Sequence, residues 1–138
     1  MLDLNLFLRT GGVGSMSSTE TSSAKTIKET PVKGLSAIVV VPQRDVGDTM
    51  QVTIQESTNN STWDDAFKFT TIASVTETTT TPIVQRGRFH SRGKYFRSVT
   101  TVAGTTPDFG AVQIAIGAHD APNNYKLGAG VATSLDQN

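Results

Sequence analysis

The chain has 138 residues, 36% of them hydrophobic, with twelve basic and twelve acidic residues and no formal net charge at pH 7. That length supports a single domain burying about two-thirds of its unfolded surface, and the charge balance argues against a protein whose main partner is the phosphate backbone of nucleic acid. With no cysteine, disulfides and thiolate metal sites are excluded.

Residues 1–9, MLDLNLFLR, alternate Leu2, Leu4, Leu6 and Leu8 with other side chains, a strand pattern unlike the basic-then-apolar order of a signal peptide. No run approaches the roughly 20 apolar residues of a membrane span, so a soluble protein made in the host cytoplasm is expected. Residues 10–23 are rich in Gly, Ser and Thr and too poor in apolar side chains to pack, which predicts a flexible loop or arm. A strand is expected over 24–28. Gly34–Val41 is then almost continuously apolar up to Pro42, as in a strand covered on both faces. Met50, Val52 and Ile54 alternate with Gln51, Thr53 and Gln55 before the turn residues Asn59, Asn60 and Ser61, which predicts a half-buried strand entering a hairpin. The returning strand is placed over 66–72, with Phe67 and Phe69 on one face, Lys68 and Thr70 on the other, and Trp63 capping the same core.

The β-branched run 76–82, TETTTTP, is unsuited to a helix, and Pro82 limits it to an edge strand or loop. Further strands are expected over 82–85, 95–102 and 109–116, the last presenting Val112, Ile114 and Ile116 on one face. About eight short strands at this spacing, without helical periodicity, predict an all-β fold. Its expected architecture is an antiparallel β-sandwich of jelly-roll topology. Val52, Ile54, Trp63, Phe67, Phe69, Val112, Ile114 and Ile116 form the expected core. The domain is placed over 1–118, followed by an extended C-terminal arm over 119–138, where no regular pattern survives.

Little in the chain suggests catalysis. His90 and His119 lack a second His or paired carboxylate at ligand spacing, and no nucleophile elbow, Ser-x-x-Lys pair or phosphate-binding loop is present. No enzymatic activity, metal or cofactor is expected. Glu56, Asp64 and Asp65 flank the Asn59 turn and could be read as paired carboxylates or calcium ligands; turn residues bonding local backbone explain them better. The overlapping N-x-[ST] matches at Asn59 and Asn60 are likewise read as turn chemistry.

The segment 86–97, RGRFHSRGKYFR, sets Arg86, Arg88, Arg92, Lys94 and Arg97 among Phe89, Tyr95 and Phe96 with no acidic residue. Such a mixture can bind single-stranded nucleic acid. Five of the twelve basic residues lie here, however, so the remainder of the chain is net acidic, and Tyr95 and Phe96 begin a strand in which one ring faces the core. A surface loop, solvated or docking on an acidic protein, is the stronger expectation.

QVTIQESTNNSTWDD, the basic segment leading into KYFRSVTTVAGTTPDFG, and the closing strand AVQIAIG together resemble small structural proteins of tailed bacteriophages. They are most similar to the capsid cement, or decoration, proteins built on a jelly-roll-like β-sandwich, over about residues 32–117 and more loosely over the N-terminal strand. The resemblance implies a homo-oligomer, expected as a dimer, on the outer surface of the virion. There it would tie neighbouring copies of the major capsid protein together against the pressure of packaged DNA. It brings no catalytic or cofactor residues. The expected capsid contacts are Arg86, Arg88, Arg92 and Lys94, with Tyr125 and Lys126 in the C-terminal arm, and the segments 10–23 and 119–138 would serve as ties. Zero net charge suits many copies crowded on one surface. Two alternatives use the same scaffold: a tail-fibre module stacking a host glycan or receptor on Trp63 and Tyr125, and a ring-forming head-completion or tail-tube protein.

Overall fold

The computed structural model describes residues 7–26, 34–91 and 93–118. The C-terminal arm with His119, Tyr125 and Lys126, the first six residues of the expected N-terminal strand, and Arg92 lie outside the described residues. Nine strands occur among those described: β1 (Phe7–Arg9), β2 (Glu20–Thr21), β3 (Lys25–Thr26), β4 (Gly34–Val41), β5 (Thr49–Ser57), β6 (Asp64–Lys68), β7 (Ile83–His90), β8 (Tyr95–Ala103) and β9 (Gln113–Ala118). They form two antiparallel sheets, one in the order β1-β9-β4-β7 and one in the order β2-β8-β5-β6, with β3 also on β8.

β2 and β3 are two halves of one interrupted strand, since β2 sets Glu20 against Thr100 and β3 sets Lys25 against Phe96 with the register shifted by one residue. Ser22 bridges the interruption. Its N–H bonds the Ser98 carbonyl at 2.9 Å, and its Oγ accepts from the Ser98 N–H at the same distance. Counted this way, the pairs β1·β9, β2/β3·β8, β4·β7 and β5·β6 are nested rungs of one long antiparallel hairpin. Rolling that hairpin brings β9 beside β4 and β8 beside β5, which is a jelly roll.

The core lies between the sheets and is built by alternation. Val52, Ile54, Phe69, Val112, Ile114 and Ile116 are all at most 3% exposed and share one cluster with Leu35, Val39, Met50, Phe96 and Phe109. Phe67 is partly buried and packs against this cluster. Trp63 does not join it: the ring is half-buried outside the core, over the guanidinium of Arg97. The reason is its position in the β5–β6 turn, which directs residue 63 to the outer face, while Phe67 and Phe69 supply the aromatic mass inside. β4 also departs from expectation, because Ile38 and Val40 on its outer side are only half-buried.

The segment 10–23, expected as a loop or arm, is fastened instead. Met16 is fully buried, its N–H bonds the Gly110 carbonyl at 2.8 Å and its carbonyl accepts from Phe109 at 3.0 Å. One apolar anchor in a polar stretch carries too weak a periodic signal to mark it as packed.

The two long sides of the sandwich are closed differently. On one, Arg9 of β1 reaches across to Glu20 of β2, Nε to Oε1 at 2.9 Å and Nη2 to Oε2 at 3.2 Å, while Nη1 donates to the Val112 carbonyl at 2.8 Å. The Arg9 side chain is 3% exposed and that of Glu20 32%, so this bidentate pair joins the two sheets almost out of water. On the other side, the Phe67 ring of β6 lies against the backbone of Gly87 in β7, edge-on to Phe69 at 5.0 Å and stacked on Phe89 at 5.7 Å. A Cβ at residue 87 would stand 2.1 Å from the ring's Cζ, so only glycine allows this approach.

Gly87→Ala should therefore destabilise the fold by about 2 kcal/mol in urea unfolding, with much of the loss recovered when Phe67 is shortened to Leu in the same chain. Glu20→Ala leaves Arg9 buried without its partner. The expected cost is about 2 kcal/mol, below the roughly 3–5 kcal/mol of a fully enclosed pair because Glu20 keeps contact with water.

Candidate functional site

The basic segment of the sequence is for the most part a strand and not a loop. Along β7 the residues Ile83, Gln85, Gly87 and Phe89 turn inward, and Val84, Arg86, Arg88 and His90 are exposed on the outer face. The alternation is hidden in the sequence because Gly87 contributes no apolar side chain; its share of the core is filled by Phe67. Outward side chains repeat about every 7 Å along a strand, so Arg86, Arg88 and His90 stand in one row.

The rest of that face follows from the register. Val84 pairs with Val40, Arg86 with Ile38 and Arg88 with Ser36, while Gln113 and Ala115 of β9 continue the rows behind Val40 and Ile38. Val84 is 42% exposed, and with Ile38 and Val40 it forms an apolar strip bordered by arginines at the sheet edge. Sequence reasoning missed this strip. Its signal was present in Ile38 and Val40, two apolar residues on the side of β4 away from the core.

Past His90 the chain turns tightly onto the end of β5. Ser91 donates through Oγ to the Glu56 carboxylate and accepts from the Gly93 N–H at 2.9 Å, and the Lys94 N–H bonds the Ser57 carbonyl at 2.9 Å. Lys94 is exposed and Phe96 fully buried. The neighbouring β5–β6 turn is organised by Ser57, whose Oγ accepts from the N–H groups of Asn59 and Asn60 at 3.1 and 2.9 Å, and by Asn59 Oδ1, which accepts from Ser61 and Thr62 at 2.9 Å each. Asn60 takes the left-handed conformation with φ of 61°, one that Asn tolerates better than most residues. Between the two turns lies an open cleft of about 310 Å³ lined by Glu56, Ser57, Thr58, Thr62, Asp64 and Gly93. Among the described residues no group of three or more His, Asp or Glu side chains is arranged to hold a metal ion.

Arg97 belongs to the opposite face. Its guanidinium carbon stands 4.3 Å from the centroid of the Trp63 ring, its Nε donates to Gln55 Oε1 at 2.8 Å, and Gln55 Nε2 donates to Asp65 Oδ1 at 3.0 Å. The cluster that looks continuous in sequence is thus divided. Arg86 and Arg88 lie on the outer face of one sheet, Lys94 at the end of the sandwich and Arg97 on the outer face of the other sheet. A continuous basic groove with interleaved rings, as single-stranded nucleic acid requires, is not formed by the described members.

No known family pattern and no curated protein matches the chain. Among solved structures it is similar to a "Family 16 Carbohydrate Binding Module-2", with a TM-score of 0.38 and 11% identity over 75% of this chain and 70% of that one. It is also similar to a chain from the structure of infectious bursal disease virus, Gx strain, with a TM-score of 0.37 and 15% identity over 78% of this chain. The chain spans only 30% of that viral chain.

Because Trp63 sits on the outer face under a single cation, its fluorescence should be quenched readily by acrylamide, and Arg97→Ala should raise the quenching constant by about twofold or less without loss of fold, in keeping with a surface cation–π contact of about 0.5–1 kcal/mol.

Proposed function

We propose that the protein is a structural virion component that binds the outer surface of an icosahedral phage capsid and cements neighbouring major capsid subunits. The observation that carries this reading is the outward row of β7, Arg86 and Arg88 beside a partly exposed apolar strip, displayed on a sandwich closed along both sides by Arg9–Glu20 and by Phe67 against Gly87. A cement must transmit force between subunits without deforming. Two hydrogen-bonded sheets locked at their edges provide stiffness, and an apolar strip with arginines at its rim provides a contact of the composition found in protein interfaces. Dimerisation through the Ile38, Val40 and Val84 strip would double the number of capsid contacts per assembly and raise avidity.

A second reading, a tail module binding a glycan, draws support from the surface position of Trp63. The Arg97 guanidinium already occupies one face of that ring, which a sugar would need for stacking. On the cement reading Trp63 emission is unchanged by host surface glycans; a saturable shift on their addition would favour the tail module.

The central test is binding to purified, expanded shells. Arg86→Glu/Arg88→Glu should lower occupancy by about tenfold or more at physiological ionic strength, each reversed rim charge weighing about 1 kcal/mol. Circular dichroism should stay unchanged, because both side chains are exposed. Undiminished occupancy would remove β7 from the contact.

A further inference from the structure

Among the described residues β7 is the longest of the strands that end a sheet, with eight residues against five in β6, three in β1 and two in β2. One side of it pairs with β4 from Gly34↔His90 to Val41↔Ile83 without a shift in register. Among the described residues no strand pairs with its other side. It contains no proline and no bulge, so two of the usual devices that blunt a sheet edge are missing. What it has instead is charge: Arg86 and Arg88 are both exposed, and no acidic residue lies along its length.

That charge selects among occupants. A second copy added antiparallel would bring the arginine row of one β7 against the arginine row of the other, and like charges facing across strands destabilise the pair. An acidic strand would gain from the same positions. On the inner side, position 87 offers no side chain and the edge of the Phe67–Phe89 stack lies there, so apolar groups are accommodated. We propose that the free edge of β7 is a strand-addition site for an extended segment of a partner protein, one in which alternate acidic residues face Arg86 and Arg88 and the intervening apolar residues face Phe67 and Phe89. Main-chain hydrogen bonds would supply the attachment, and the alternation would supply the selection. The inference rests on the capsid-contact reading only for the partner's identity, not for strand addition itself.

Labelled eight-residue peptides provide the test: TEVEVEVT, its rearrangement TEEVVVET with the same composition and charge but no two Glu at alternate positions, and the basic counterpart TKVKVKVT, each followed by fluorescence anisotropy and by amide exchange of the intact protein. The alternating acidic peptide should bind at least about tenfold more tightly than the rearranged one, as expected when two or more cross-strand charge pairs form in register. It should also slow exchange of amides within 83–90, and Arg86→Glu/Arg88→Glu should abolish its binding. Equal binding of both acidic peptides without amide protection would overturn strand addition in favour of simple charge attraction. Binding by neither would overturn it as well. Protection of β7 without peptide, together with a dimer mass, would give the edge to a second copy. Failure with peptides while shell occupancy still depends on Arg86 and Arg88 would remove strand addition and leave the cement reading standing; peptide binding with no effect on shells would do the reverse.

Discussion

The contact between the Phe67 ring and the bare backbone of Gly87 sets the relation of the two sheets along one whole side of the molecule. It lets the edge strands β6 and β7, which belong to different sheets, approach to the thickness of a single ring. The same contact determines what β7 shows to solvent. With residue 87 committed inward, period-two geometry commits Arg86 and Arg88 outward, so the chemistry of the exposed face follows from a packing decision in the core. A larger residue at 87 would push β7 away and open the Phe67, Phe69 and Phe89 cluster to water.

The opposite side solves the same problem with charge. Arg9 cannot leave its site without abandoning both Glu20 and the Val112 carbonyl, so β1, β2 and the start of β9 move together. One closure is apolar and insensitive to salt. The other joins a buried guanidinium to a carboxylate that keeps contact with water, so salt screens it in part. Salt therefore acts least on the Phe67 side, more on the Arg9–Glu20 side, and most on the exposed arginines of β7.

Much of the fold was legible because its strongest elements alternate. Met50, Val52 and Ile54 announce β5, and Val112, Ile114 and Ile116 announce β9, in patterns that hardly depend on context. Three features were not legible for separate reasons. Trp63 looked like core because large aromatics usually are, yet a turn residue takes its side from the local backbone. Residues 10–23 looked mobile because Val13 and Met16 are the only large apolar residues in that stretch, and with Val13 exposed the single anchor Met16 has no period. The strand character of 86–90 was concealed because the side chain filling the core at position 87 is encoded twenty residues earlier, at Phe67. Of the candidate contact site, the residue types were visible in sequence and their division between two faces was not, since Lys94 and Arg97 are separated by the turn into β8 and by the sandwich itself.

The nested pairing also fixes where the first and last described strands begin and end. β1 begins opposite Ala115 and β9 runs out beside Leu35, at the end of the sheet where β4 starts and β7 finishes. Phe7 and Ala118 therefore lie at one end of the sheet, the end where Gly34 pairs with His90. A spectroscopic label at residue 7 and another at residue 117 would report on the same end of the sandwich, the end that carries Lys94, and neither on the far end.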